Sequence, residues 1–494
     1  MFWPQTRMVS IGSFWQLRNA RDKCWRSRFG LVPCLVGVAL WLASMPICAQ
    51  TLSTLFTNGP VANRVNIVLL AEGYQTNQMT KFLADAETVV GNLLSAAPYS
   101  QYSNYFNAYA IFAASADSGS DHPPALKNTY FNSSYDSFGL SQLITIPPNN
   151  FDGDARHGKG KVLNLLTNLF PDYDIPILVV NDTAFGGSGN TPDTPEPIII
   201  TSLNSTPAGR DIVAHESGHL VGGLADEYSN GAPSGYVPVE RPNSTAQTNR
   251  DLVKWRAWID DGTPTPTPPT LTFMDFVGLF EGAQYQTNGW YRPKLDCKMN
   301  HLGAAFCEVC SEQLVKSIYG MIREVDSFSP AITNLTVSGA QVLSFSVTPL
   351  RPVSHKLAVQ WYTNGVIVAG ATNSSFQLSS ESLGDGKHSI MAQVSDPTPL
   401  VRDDPAGRLT GGKIWWLNVN VTPLSLSQVR YLSGTRFRFT VSGNAPQGCV
   451  IETSTNLLGW TPISTNILAG GQLDFTNVDV AIGPARFYRA STLP

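Results

Sequence analysis

The spacing of apolar residues changes once along this chain, and the change is complete. Up to about residue 326, short apolar runs alternate with segments of helical spacing. From about Phe328 the helical spacing stops and only short alternating strands follow. In the first part VNIVLLAEGY (65–74), FNAYAIFAA (106–114), IPILVV (175–180) and IIIT (198–201) read as strands. Residues 77–95, with Met79, Phe82, Leu83, Ala86, Val89, Val90, Leu93 and Leu94, read as a helix, and so do residues 161–170. Strands alternating with helices indicate an α/β layer. Between 184 and 197 the chain is too rich in Gly and Pro for regular structure, and residues 181–189 are expected to rim a cleft as an edge strand.

The second part divides again. Six short strands over about 331–422, with turn residues at regular intervals, fit an Ig-like β-sandwich with Trp361 in its core. A further set, including RFRFTVSG, CVIETSTN and ARFYRA, makes a small C-terminal all-β module. The expected architecture is therefore multidomain: a leader at 1–49, an α/β domain at 50–326, a sandwich at 327–423 and a β module at 424–494. Charged residues are 14% of the chain, against about 25% in ordinary globular proteins. That excludes a coiled coil or a charge-driven disordered chain. A net charge of −4 without a basic stripe gives no support to a nucleic-acid partner.

The first 49 residues are set apart by charge. Arg7, Arg18, Arg21, Lys23, Arg26 and Arg28 oppose only Asp22, and an apolar run from Leu31 to Ala49 follows. A basic flank, a short apolar core and a small residue at the end describe a signal peptide. Pro33, Gly37 and Pro46 break the run below the length of about 20 residues that a membrane span needs. A secreted protein is expected, whether extracellular, periplasmic or on the cell surface.

Of the cysteines beyond the leader, Cys297, Cys307 and Cys310 cluster in DCKMNHLGAAFCEVC, and Cys449 stands alone. In an oxidising compartment the cluster reads as a disulfide clip with one thiol left over. The rival is a zinc knuckle, for which His301 is the only nearby fourth ligand in the sequence.

The chemistry concentrates in AHESGHLVGGLADEY (214–228). His215, Glu216 and His219 form H-E-x-x-H. Four residues are about one helical turn, so both imidazoles project from one face. Zinc takes such nitrogens at about 2.0–2.1 Å and, at a catalytic site, keeps one position open. Glu216 is placed to work on the activated water as general base and then acid. Thr206 and Pro207 precede the segment as cap and first-turn residues. A third ligand is needed. In metzincin peptidases the pattern runs H-E-x-x-H-x-x-G-x-x-H, but three residues after Gly222 stands Ala225. If Gly223 makes the turn instead, Asp226 takes the place, at the cost of one inserted residue. Glu227 is the alternative, with His122, His157 and His301 as remote candidates.

These residues resemble the bacterial IgA-peptidase-type zinc metallopeptidases, which carry an HE-x-GH…GLADEY block. NIVLLAEGY, VVND…FGGSG, RPNSTAQTNRDLVKWRAWI, GLFEGAQYQTNGWYRPKLDCKM and FCEVC match in the same order, over about residues 60–320. The resemblance implies a metzincin-like domain with a twisted sheet above the active-site helix, Zn2+ as cofactor and a protein or peptide substrate. It makes Met299 the methionine of the turn beneath the metal. Tyr228 and Tyr291 are candidate hydrogen-bond donors to the developing oxyanion. The expected function is a secreted zinc endopeptidase, with β modules that hold it to a surface, a carbohydrate or a protein. The alternatives are a binding or adhesion protein with an inactive peptidase-like domain, and a zinc amidase acting on cell-wall peptide.

Overall fold

A computed structural model describes residues 50–147, 158–192, 197–231, 235–420, 424–432, 436–445, 447–477 and 485–492. The segment read as an export leader lies outside the described residues. No helix among them is long and apolar enough to cross a membrane.

The α/β part is built on β1 (Thr51–Phe56), β2 (Val65–Glu72), β3 (Phe106–Phe112), β4 (Ile175–Val180), β5 (Gly187–Gly189) and β6 (Ile199–Ser202). They form one sheet in the order β1-β3-β2-β4-β6-β5. The central pairs β2–β3, β2–β4 and β4–β6 are parallel, while β1 and β5 lie antiparallel at the two edges. Every residue of β2, β3 and β4 is buried, which explains why these strands read as continuous apolar runs rather than alternations. Successive side chains point to opposite faces. Ile67 and Leu69 join one core with Phe82, Val89 and Leu93 of α1 (Met79–Ser95) and Val213 of α3 (Pro207–Gly222). Val68 and Leu70 join the other, with Val162, Leu165 and Leu166 of α2 (Gly158–Leu169). Strand β1 carries no strong apolar signal, because at the edge its burial is only partial.

Downstream come a hairpin, β7 (Phe280–Ala283) with β8 (Gln286–Arg292), and helix α4 (Glu308–Met321), which packs on α3. Strand β9 (Val325–Ser329) already pairs with β11 (Val342–Pro349), so the next sheet begins at Val325. That sheet is completed by β14 (Ser375–Ser379). It faces a five-stranded sheet of β10 (Asn334–Ser338), β12 (Ala358–Thr363), β13 (Val366–Ile367), β15 (Gly386–Ser395) and β16 (Thr410–Asn420). Trp361 and Trp415 are fully buried between the sheets, their rings stacked 5.9 Å apart. The core of the sandwich is continuous with the α1/α3 face of the α/β part. Polar contacts cross the same boundary. Arg64 forks onto Asp326 at 2.6 and 2.7 Å. Asp396 accepts from Tyr102 at 2.9 Å and Tyr319 at 2.7 Å. Two three-stranded sheets at the C-terminus enclose a separate small core of Phe439, Val441, Cys449, Ile451 and Leu468.

Candidate metal centre

Helix α3 begins where the sequence provides a cap. The Thr206 hydroxyl accepts from Gly209 N at 3.1 Å, and Pro207 fills the first turn, where its missing N–H is not needed. The helix ends at Gly223, whose φ of 61° is cheap only without a Cβ. The left-handed residue reverses the chain, and Asp226 returns over the helix face that carries both imidazoles.

The result is a compact donor set. Asp226 Oδ1 lies 3.2 Å from His215 Nε2 and 3.3 Å from His219 Nε2. Two ligands each about 2.0–2.1 Å from zinc sit about 3.3 Å apart along a tetrahedron edge. Asp226 Oδ1 is buried and takes no hydrogen bond of good geometry. The remaining ring nitrogens are occupied: His215 Nδ1 meets Lys298 O at 2.8 Å, and His219 Nδ1 meets Leu224 O at 2.8 Å. A carbonyl can only accept, so each Nδ1 carries the proton and each Nε2 lone pair is left to a cation. Tyr285 donates to the other oxygen of Asp226, fixing that carboxylate from behind. The residues present fit a zinc ion.

The electrostatics favour positive charge at this point. Burial alone would depress His219, but Asp226 and Glu216 push it up to about 9. Burial opposes ionisation of Asp226, yet the two imidazoles hold it well below the usual carboxylate range. Burial pushes the pKa of Glu216 up from its ordinary value. Glu216 Oε2 stands 4.0 Å from His219 Nε2, beside the donor set. Edge strand β5 passes over it; a Cβ on Gly189 would come within 3.0 Å of Glu216 Oε2. The outer side of β5 is partly bridged, at Gly187, by Leu143.

The other predicted residues fall in different places. Met299 is fully buried beneath α3, and its Sδ would stand 2.5 Å from a Cβ on Gly218. Tyr228 lies edge-on to Tyr285, with ring centroids 5.2 Å apart. Tyr291 is a core residue whose backbone pairs with Thr245. Glu227 points away from the imidazoles. It is fully buried among cysteines, accepting from Asn243 at 2.9 Å and Cys310 at 3.3 Å. His122 pairs with Asp182 at 2.8 Å, and exposed His301 pairs with Asp296 at 3.1 Å. His157 lies outside the described residues.

The expected disulfide is corrected. Cys297, Cys307, Cys310 and Cys449 are all free thiols, and Cys297 Sγ stands 3.7 Å from Cys310 Sγ, far beyond a bond of about 2.05 Å. Sequence reasoning missed Tyr285. It sits in a hairpin turn at φ 63° beside Gln284 at φ 50°, a turn that no glycine or proline at those positions announces.

A family model described as IgA Peptidase M64 matches residues 54–276 and 270–318, more than half of the chain. The chain belongs to this family. The match runs from β1 into α4 and takes in every residue of the centre described above. No curated protein matches the chain. Similar solved structures include domains A168–A170 of titin, at 9% identity and a TM-score of 0.18, covering 33% of this chain and 56% of that one. The chain thus spans little more than half of the titin fragment. The fibronectin(III)-like modules of Clostridium thermocellum CbhA match at 10% identity and a TM-score of 0.17, covering 31% of this chain and 79% of that one. The CD2-binding domain of CD58 matches at 10% identity and a TM-score of 0.16, over 33% of this chain and 98% of that one. The β-sandwich rests on its own strand pairing, not on these likenesses.

Proposed function

We propose that this M64 peptidase is a secreted zinc endopeptidase with a metzincin-like centre, in which His215, His219 and Asp226 hold the ion and Glu216 moves the proton. The observation that carries the reading is the convergence of two Nε2 lone pairs and a hydrogen-bond-free carboxylate oxygen at 3.2 and 3.3 Å, beside a buried glutamate. His215, His219 and Asp226 would hold the zinc ion, which would supply a Lewis acid and a water of pKa about 7. Glu216, its pKa raised by burial, would act as the base that accepts a proton from the attacking water and as the acid that returns it to the leaving amine. Lys298 O and Leu224 O hold the imidazoles in one tautomer throughout. Strand β5 is the backbone edge against which an extended peptide would lie, and Tyr228 is read as the hydroxyl that donates to the oxyanion. Met299 supports the helix between the two histidines. Residues 50–326 are read as the catalytic unit and the two β modules as its attachment to a surface or partner.

The test is metal analysis combined with Glu216→Gln on a casein and gelatin panel, with peptidoglycan fragments alongside. The expected result is zinc bound to both proteins and protein cleavage only by the wild type. Equal behaviour of the two, including no cleavage by either, overturns the peptidase reading. Cleavage confined to peptidoglycan peptide makes the enzyme a cell-wall amidase.

A further inference from the structure

A second group of four ligand-bearing side chains lies apart from the histidines. Glu227, Cys297, Cys307 and Cys310 are all buried, and one ligand atom from each lies within 4.8 Å of the others. They come from three segments: the loop after α3, the turn that carries Met299, and the start of α4. Cys307 caps that helix and Cys310 stands in its first turn.

The separations have the dimensions of a metal tetrahedron. With zinc–sulfur bonds of about 2.3 Å the sulfur–sulfur edge is about 3.8 Å, and with an oxygen at about 2.0 Å the sulfur–oxygen edge is about 3.5 Å. Cys297 Sγ to Cys310 Sγ is 3.7 Å, and Cys310 Sγ to Glu227 Oε1 is 3.3 Å. Independently, Glu227 is fully buried and its Oε2 has no hydrogen-bond partner. Leaving a carboxylate oxygen unsatisfied in the interior is costly, and a cation removes the cost. The outer contacts are those that a thiolate site uses. Cys307 N donates to Cys297 Sγ at 3.4 Å, and Asn243 orients Glu227 by donating to Oε1 at 2.9 Å. Arg292, half-buried nearby and donating to Glu227 O at 2.9 Å, brings positive charge against an otherwise anionic group.

We propose that Cys297, Cys307, Cys310 and Glu227 form a structural zinc site, closed and four-coordinate, separate from the histidine centre. Three thiolates select a borderline-soft ion, and a full set of four buried protein ligands leaves no open position for chemistry. The site ties together the segments that hold the catalytic residues. Glu227 directly follows Asp226, and its N–H donates to Met299 O at 2.7 Å. Cys297 directly precedes Lys298, whose carbonyl meets His215.

Three measurements on the full chain test this. Zinc content of the wild type is expected at two equivalents, with one retained by the His215→Ala/His219→Ala variant. That variant, loaded with Co2+, is expected to show thiolate-to-cobalt charge transfer in the near ultraviolet, lost in a further Cys297→Ser/Cys310→Ser change. Alkylation after unfolding with a chelator, without reductant, is expected to label all three thiols. A metal-free His215→Ala/His219→Ala protein overturns the site, and so does a disulfide that leaves only one of the three cysteines to be labelled. Both readouts hold even if the cysteine variant fails to fold. If the wild type binds one equivalent and the histidine variant keeps it, the cysteine site stands and the catalytic reading falls.

Discussion

At the scale of single residues, Asp226 is held by three neighbours at once, and each can be removed separately. Tyr285 donates to its Oδ2, the oxygen away from the imidazoles. Tyr285→Phe should therefore leave the fold intact and weaken metal retention or activity by about 10- to 100-fold, as loss of an outer-shell partner does. Competition with a graded chelator measures the first and peptide turnover the second. Titration gives a further prediction. In the metal-free protein His219 has its pKa raised to about 9 from an ordinary value of 6.5. Below about 6.5 the imidazole is charged whether folded or not, and the native pairing with Asp226 contributes fully. As pH rises towards 9 the unfolded chain gives up its proton first, and that stability is lost. The melting temperature of metal-free protein should fall between about pH 6.5 and 9, and His219→Gln should flatten the slope. A melting curve that rises over this window would contradict the assignment.

At the scale of elements, α3 is a helix whose amphipathic face is nearly erased, because buried residues surround it. Its last turns carry His215, Glu216, Ser217, Gly218 and His219, all buried. Gly218 is where Met299 and Phe306 press in, at 2.5 and 3.1 Å from an added Cβ. Gly218→Ala should cost about 1–3 kcal/mol through overpacking, read as a lower denaturant midpoint. It should also reduce activity, since the same residue separates the two imidazoles. Thr206→Ala at the other end removes only a cap and should cost about 1 kcal/mol, with catalysis unchanged. The contrast between the two variants separates stability of the helix from placement of its chemistry.

At the scale of the molecule, the sandwich and the α/β part share one apolar core, whereas the last module keeps its own. Asp396 of the sandwich is tied to Tyr102 and Tyr319 across the boundary. Removing residues 424–494 should leave the main calorimetric transition within a few degrees of the full chain. Removing everything after 326 should lower it sharply or yield insoluble protein, because Tyr102, Tyr319 and their apolar neighbours lose their cover. Similar behaviour of the two truncations would show that the continuous core does not couple the parts.

The sequence by itself determined what depends on near neighbours in the chain. Fully buried strands announced themselves as unbroken apolar runs, α3 by its cap and proline, and the two imidazoles by a spacing of one helical turn. What lies between distant segments only the tertiary structure decided. Asp226 and Glu227 are adjacent acids, the first preferred as the ligand from sequence and the second its alternative, and the left-handed turn at Gly223 sends one to the histidines and the other to Cys310. The expected disulfide failed for the same reason: cysteine spacing says that thiols are close, not that a buried carboxylate from some seventy residues earlier sits among them. Tyr285 and the carbonyl of Lys298 complete the centre from outside the motif, and the carbonyl of Leu224 from the turn within it. Their roles come from where the backbone arrives, and backbone polar groups are the same at every position of a sequence.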